Sequence, residues 1–362
     1  MIYRAIGVMS GSSLDGLDLA FVEFEEQGGK WSFVIRAAAC YDYDEVWKEK
    51  LRQSFALNAL DHALLHTEFG HFIGENVLQF METHQIHYQV GLISSHGHTS
   101  FHIPEKKTSV QLGDGAAIAA KTGLPVVTDL RSLDVALGGQ GAPIVPIGEK
   151  YLLSAYEYFL NLGGIANISS LHQSDSIAFD ICPANRVLNM LASLKGLSYD
   201  EGGVFSARGT VNDALLSKLN ALEYYSKPYP KSLANDFGTE VVYPMIMDHG
   251  LSVEDGLRTY SEHIAVQLKN SMGQLGLPLN PAKLLVTGGG AFNHFLVKRI
   301  SEVLAELNIE VIVPDALLVS NKEAIIMAFL GVLRWRQEIN VMSSVTGASR
   351  DSSGGALWIG AV

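Results

Sequence analysis

The chain has 362 residues, 48% of them apolar and 18% charged, and carries a net charge of −12. That length suggests about two domains, and the composition is that of an ordinary soluble globular protein. The acidic balance gives no long-range pull toward nucleic acid or an anionic membrane, but a phosphorylated ligand stays open because glycine-rich backbone binds phosphate without many cations.

In chain order, Arg4 to Met9, Leu17 to Glu25 and Trp31 to Cys40 are predicted as three strands, with Gln27-Gly28-Gly29 turning between the last two. Glu45 to His84 is largely helical, with a break near Leu57-Asn58. Short buried strands are expected at 90–95, 125–128 and 309–314. Tyr158 to Leu171, YFLNLGGIANISSL, repeats the opening strand–turn–strand pattern, and SIAFDI follows as a third strand. Two such starts, each followed by helices, suggest two related α/β lobes, 1–155 and 156–362, with a cleft between them. Further on, Val211 to Tyr225 is helical and KPYPKSLANDFG is rich in turns. Ser252 to Met272 is a helix with a capping start at Ser252-Val-Glu-Asp255 and an end marked by Gly273 and Gly276. Asn321 to Gln337 is the final helix.

Cys40 and Cys182 lie far apart and form no CxxC pair, so neither a disulfide framework nor a zinc site is indicated. The start MIYRAIGVMSG lacks a signal peptide's pattern, and no apolar stretch reads as long enough to span a bilayer. A cytoplasmic protein that binds neither nucleic acid nor membrane is expected.

Three glycine turns carry the chemistry. The first, between the two opening strands, contains Gly11, Ser12, Ser13, Leu14, Asp15, Gly16, Leu17 and Asp18. It has no lysine and no helix after it, so it is not a Walker loop, and no GxGxxG opens a helix as a Rossmann turn does. A hairpin remains, whose backbone N–H groups and hydroxyls can face phosphate oxygens. Its carboxylates then make sense only beside Mg²⁺ or the waters of that ion; a plain turn is the alternative. Gly163 and Gly164 form the second turn. Gly288, Gly289, Gly290 and Asn293 form the third, where a strand meets a helix and glycines leave room for an adenosine.

Hairpin, hairpin and strand–Gly₃–helix, in that order, match the two phosphate elements and the adenosine element of the actin-like ATPase superfamily. A closer likeness follows: GVMSGSSLDGLD, SSHGHTSFHIP, SVQLGDGAAIA, TDLRSLDVALGGQGAPIVP, LNLGGIANIS, VTGGGAFN and SVTGA together resemble the 1,6-anhydro-N-acetylmuramate kinases over essentially the whole length. The resemblance implies a two-lobed α/β fold. It also implies use of ATP and Mg²⁺, ring opening with phosphorylation of the sugar 6-oxygen, and a homodimer. It places the catalytic base at Asp180, in Phe179-Asp-Ile-Cys-Pro-Ala-Asn185. There Ile181, Cys182 and Ala184 replace the family's threonine and two glycines, so a kinase for a different sugar stays open, as does a nucleotide-driven switch of the actin or chaperone kind.

His96, His98 and His102 invite a metal reading, but no cysteine or carboxylate stands at ligand spacing, and the sugar side of the cleft suits them better. Arg131, with Asp134 near it, suits the lactyl carboxylate of a muramyl sugar through its planar fork; an Arg–Asp salt bridge shaping the loop is the alternative. Glu323 stands at the start of the final helix, where the family has an acidic residue near the sugar and where the helix dipole favours glutamate anyway.

Overall fold

Strand β1 (Ile2–Ser10) runs antiparallel to β2 (Gly16–Gln27), which runs antiparallel to β3 (Lys30–Asp42). Gly28 and Gly29, both at positive φ, make the turn between the last two, a conformation that favours glycine. β1 also pairs in parallel with β4 (Leu92–Ser95). A two-stranded ribbon of β5 (His98–Ile103) and β6 (Thr108–Leu112) follows, and β7 (Val126–Thr128) returns in parallel beside β4. The computed structural model describes residues 1–11, 13–170, 176–229, 231–234, 236–275 and 281–360.

One face of this sheet, with Ile6, Val8, Leu17, Leu19 and Phe21, packs on helix Ala59–Thr83 through Phe69, Ile73, Val77 and Phe80. The break expected near Asn58 is present. A first helix ends at Arg52, and Asn58 caps the second by accepting from the Asp61 N–H at 3.0 Å. The ribbon was not legible in advance, because its short strands, HTSFHI and TSVQL, carry too many polar residues to show a clear apolar alternation.

The second unit repeats the plan. β8 (Tyr158–Leu162), β9 (Ile165–Ser170) and β10 (Ile177–Pro183) form an antiparallel meander. β11 (Ala282–Thr287) pairs in parallel with β8, and β12 (Ile309–Ile312) pairs in parallel with β11. The orders β3-β2-β1-β4-β7 and β10-β9-β8-β11-β12 agree in sequence and in strand sense, as the repeated strand–turn–strand pattern led one to expect. The same α/β plan is thus built twice. Helices Asn185–Ser193, Val253–Leu275 and His294–Ala305 close the second core over Tyr158, Leu160 and Leu162. The Asp255 N–H donates to Ser252 Oγ at 3.1 Å, as its capping pattern requires. The helix does not stop at Gly273 but continues to Leu275; Gly276 lies outside the described residues.

Two expectations need correction. The units are Met1–Ser154 with Asn321–Val362, and Ala155–Ser320, so the last segment belongs with the first unit and not with 156–320. The physical reason is close packing on β1. A Cβ on Gly7 would fall 1.8 Å from the Ala324 carbonyl oxygen, so the helix backbone rests directly on the strand. Phe329 adds ring contacts with Phe24 and Trp31 at 5.4 and 4.9 Å between centroids, and β13 (Ala356–Trp358) pairs with β7. Second, this helix spans Ala316–Trp335, opened by the Asp315 carboxylate accepting from the Leu318 N–H, so Glu323 is well inside it and not in its first turn. By length and composition the helix is apolar enough to cross a membrane, which the sequence reading did not anticipate, but it is mostly buried in the protein. We predict that Gly7→Ala lowers stability by about 3 kcal/mol, read as a reduced urea midpoint at unchanged slope.

Candidate active site

In the first unit the glycine turn carries few side chains into the interior. The Leu14 N–H bonds back to the Gly11 carbonyl at 3.4 Å, and Leu14 holds φ +60°. Ser13 and Asp15 are exposed. Gly11 has no positive φ, and a would-be Cβ would meet nothing closer than Ser13 Oγ at 3.5 Å, an ordinary contact, so the fold does not demand glycine there. Gly16 is different: a Cβ would meet Cys40 Sγ and the Tyr41 carbonyl, both at 2.7 Å. Leu17, read as a nucleotide contact, is corrected to a core residue. Its side chain is fully buried, and its backbone is paired with Ser10 on one side and Tyr41 on the other. Ser12 lies outside the described residues.

Asp18 faces the side of the sheet that the Ala316–Trp335 helix covers. Burial raises its carboxyl above the usual range, a hydrogen bond with the Cys40 thiol opposes this, and the nearby charges of Glu323 and Asp15 push it further up. Burial and the Asp18 carboxylate together push the Cys40 thiol up to about 12, so it stays protonated and inert. Glu323 also acts electrostatically on Arg131. Asp15, Asp18, Glu323 and Arg131, separated widely in sequence, are therefore one electrostatic group. Lys322 forms a buried ion pair with Glu149 at 2.8 Å, fixing the helix beside Glu323.

The three histidines serve three different partners. His98 Nδ1 is 3.1 Å from Ser10 Oγ, which accepts from the Tyr43 hydroxyl at 2.8 Å. His102 Nδ1 is 3.1 Å from Ser109 Oγ. The buried His96 places Nδ1 at 2.9 Å from the Gly97 carbonyl and accepts at Nε2 from Arg131 Nε, also at 2.9 Å. Among the described residues no group of three His, Cys, Asp or Glu side chains could hold a metal ion. Asp134 does not pair with Arg131. It is buried and accepts from the Gly141 N–H at 2.8 Å and the Thr346 hydroxyl at 2.7 Å, tying the Gly138–Pro143 loop to the C-terminal segment.

In the second unit, two glycine turns meet. Gly288 has φ +80° and approaches Asn161 Oδ1, while a Cβ on Gly290 would lie 2.6 Å from Leu162 Cβ. Both are needed to bring the third turn onto the end of β8. Asn185 bridges them, its Nδ2 donating to the Leu162 carbonyl at 2.8 Å, and the backbone N–H of Asn185 donates to the Gly163 carbonyl at 3.0 Å. Gly163, Gly164 and Gly289 have no positive φ, and a Cβ would meet nothing closer than 3.4 Å. Their bareness therefore serves no internal packing. The Asn293 side chain caps helix His294–Ala305 by accepting from the Leu296 N–H at 3.0 Å, which commits its carbonyl oxygen to the fold.

Asp180 stands at a β-bulge in β10, where register slips between it and Cys182. Sequence reasoning missed its supports. The Leu233 N–H donates to Asp180 Oδ2 at 2.9 Å, the Asp180 N–H donates to the Lys231 carbonyl at 3.2 Å, and the Tyr224 hydroxyl donates to the Asp180 carbonyl at 2.7 Å. Burial raises the Asp180 carboxyl above its usual value and the Leu233 N–H only partly offsets this. Tyr224 and Leu233 also line a pocket of about 420 Å³. Of the replaced glycines, Cys182 is buried in extended strand, whereas Ala184 has φ −128° and ψ −102°, a backbone conformation outside the main regions open to L residues.

This sequence matches the family described as anhydro-N-acetylmuramic acid kinase over residues 3–360. Relatives of that name from Vibrio parahaemolyticus and Aliivibrio fischeri are each 34% identical, covering 98% of this chain and 97% and 99% of theirs. The chain belongs to the anhydro-N-acetylmuramic acid kinase family. A relative from Synechococcus elongatus is 33% identical over 96% of this chain and 97% of its own. Among solved structures, component A of (R)-2-hydroxyglutaryl-CoA dehydratase from Acidaminococcus fermentans is 12% identical at a TM-score of 0.49, covering 91% of this chain and 97% of that one.

For a kinase of this family, Gly164→Ala is predicted to change stability by less than about 0.5 kcal/mol while raising the KM for ATP about tenfold. Gly290→Ala is the contrasting case, with a lowered melting temperature. A Gly164→Ala enzyme that melts early and binds ATP normally would show that the second turn is structural.

Proposed function

We propose that this protein uses ATP and water to open the anhydro ring of 1,6-anhydro-N-acetylmuramate and phosphorylate its 6-oxygen, giving N-acetylmuramate 6-phosphate in murein recycling. The family match across residues 3–360 carries this reading, and the resemblance of the FDICPAN segment to the family's motif supports Asp180 as the base.

Asp180 takes a proton from the water whose oxygen attacks the anomeric carbon. The bond from that carbon to the 6-oxygen breaks, and the 6-oxygen attacks the γ-phosphorus of ATP as ADP leaves. Oδ2 is occupied by the Leu233 N–H, which leaves Oδ1 for the water. A carboxylate raised by burial is a stronger base than a free aspartate, which suits proton abstraction near neutral pH. Arg131 receives the lactyl carboxylate, and Glu323 bonds sugar hydroxyls. The turn at 11–16 and the bare glycines 163, 164 and 289 face the nucleotide. Carboxylates in a phosphate-binding turn repel phosphate, so Asp15 and Asp18, the latter raised chiefly by burial, fit Mg²⁺ carried in with the nucleotide. When bound, that ion neutralises the charge of the phosphates. A cytoplasmic location and a homodimer complete the reading.

The test is turnover with Mg-ATP and 1,6-anhydro-N-acetylmuramate, following both ADP and phosphosugar. Asp180→Asn should cut kcat by about 10³-fold or more with ATP binding retained. In the wild type, the acid limb of kcat/KM should lie above the ordinary aspartate value of 3.8, because activity is lost as pH falls through the raised pKa. An acid limb at or below 3.8, or an active Asp180→Asn, removes Asp180 from this role.

A further inference from the structure

Arg131 carries five donors in a planar fork, and its Nε donates to His96 Nε2 at 2.9 Å. Arginine only donates, so His96 Nε2 carries no proton, and the ring proton sits on Nδ1, where it donates to the Gly97 carbonyl at 2.9 Å. Both ring nitrogens of His96 are therefore used inside the protein, and the ring is 3% exposed. A side chain so committed has no nitrogen left for a sugar. The expectation that His96 touches substrate is replaced by another role.

We propose that His96 is a positioning residue: as a neutral hydrogen-bond acceptor it clamps the Arg131 guanidinium by its Nε and leaves the two terminal nitrogens aligned for a substrate carboxylate. The inference rests on the reading of Arg131 as the receiver of the lactyl carboxylate and adds how that receiver is aimed. Among the described residues no hydrogen bond engages Nη1 or Nη2 of Arg131, so the end of the fork that suits a bidentate carboxylate is the end left open. Three features keep the clamp in one state. Burial first, then the charge of Arg131, hold the imidazole neutral, down to about 3. The Gly97 carbonyl fixes the tautomer. Gly97 itself, at φ +70° with a would-be Cβ 2.1 Å from the Leu112 carbonyl, admits only glycine and so fixes the carbonyl. A flexible guanidinium must lose side-chain freedom when it binds a carboxylate, and a guanidinium held at Nε has already lost much of it. The clamp therefore acts on recognition of the carboxylate and not on the chemical step.

The experiment compares two sugars in the purified enzyme: 1,6-anhydro-N-acetylmuramate, and 1,6-anhydro-N-acetylglucosamine, which lacks the lactyl ether and its carboxylate. Four enzymes are assayed: wild type, Arg131→Ala, His96→Leu and His96→Gln. His96→Leu should raise the KM for the muramyl sugar about tenfold with kcat nearly unchanged, and leave the KM for the sugar without the carboxylate where it was. His96→Gln, whose amide oxygen can accept from Arg131, should recover most of that loss. Turnover of the carboxylate-free sugar and the thermal melt serve as checks that each variant folds.

If Arg131→Ala abolishes discrimination between the two sugars but His96→Leu leaves it intact, the clamp is wrong and the role of Arg131 stands. If Arg131→Ala affects both sugars equally, or neither, the reading of Arg131 fails and the clamp with it. If His96→Leu weakens both sugars alike, or His96→Gln is no better than leucine, His96 is a packing residue only and the inference is overturned.

Discussion

Backbone-to-backbone contact at Gly7 organises the first unit. With no side chain there, the Ala316–Trp335 helix rests on β1 through the Ala324 carbonyl, close enough that even a methyl group would collide. That placement decides which residues of the C-terminal segment come near the charged groups of the first unit. It brings Glu323 to within electrostatic reach of Asp18 and Arg131, and the neighbouring Lys322 is locked by its buried pair with Glu149. Removing either member of such a pair leaves an uncompensated buried charge, a cost of several kcal/mol, so the helix has little freedom to slide. The second unit uses the same device at Gly288 and Gly290, where missing side chains let the third glycine turn close onto β8.

These glycines differ from the ones we assign to the nucleotide. At Gly7, Gly16, Gly288 and Gly290 a Cβ has nowhere to go. At Gly11, Gly163, Gly164 and Gly289 it would meet only ordinary contacts, and no positive φ calls for glycine. A motif that reads as uniformly glycine-rich thus divides by physics into positions the fold requires and positions the fold leaves bare. The polar side chains divide in a comparable way. Asp134, His96 and the side-chain carbonyl oxygen of Asn293 are committed internally, whereas Asp180 Oδ1 and the terminal nitrogens of Arg131 have no protein partner among the described residues. Desolvation without full satisfaction is what raises a carboxylate toward useful basicity.

Much of the fold was legible from residues alone. The strand–turn–strand pattern at 4–25 and its echo at 158–171 foretold the matching sheets, because alternating apolar positions and glycine turns are local signals. The assignment of 321–362 was not legible, since nothing in the segment announces that Gly7, hundreds of residues earlier, is its docking site. The helix start was misplaced at Asn321 for a related reason: the capping Asp315 follows a strand and a proline and reads as loop. In the site, the aspartates, Arg131 and the glycine turns could be found by motif. The supports of Asp180 could not, because the decisive group is the backbone N–H of Leu233, which any residue but proline supplies. Leu17 was misread as a ligand because a contiguous motif hides the alternation of a strand, which sends every second side chain into the core.

The central claim is that one turnover breaks the anhydro bridge with water and transfers a phosphoryl group to the oxygen thus released. Its most direct measurement is turnover in ¹⁸O-labelled water, with immediate borohydride reduction of the sugar to stop exchange at the anomeric carbon, followed by mass spectrometry of the phosphosugar. Ring opening by water puts one heavy oxygen on the former anomeric carbon and none in the phosphate group. A product whose phosphate carries the label, or a phosphosugar with no heavy oxygen at that carbon, contradicts it.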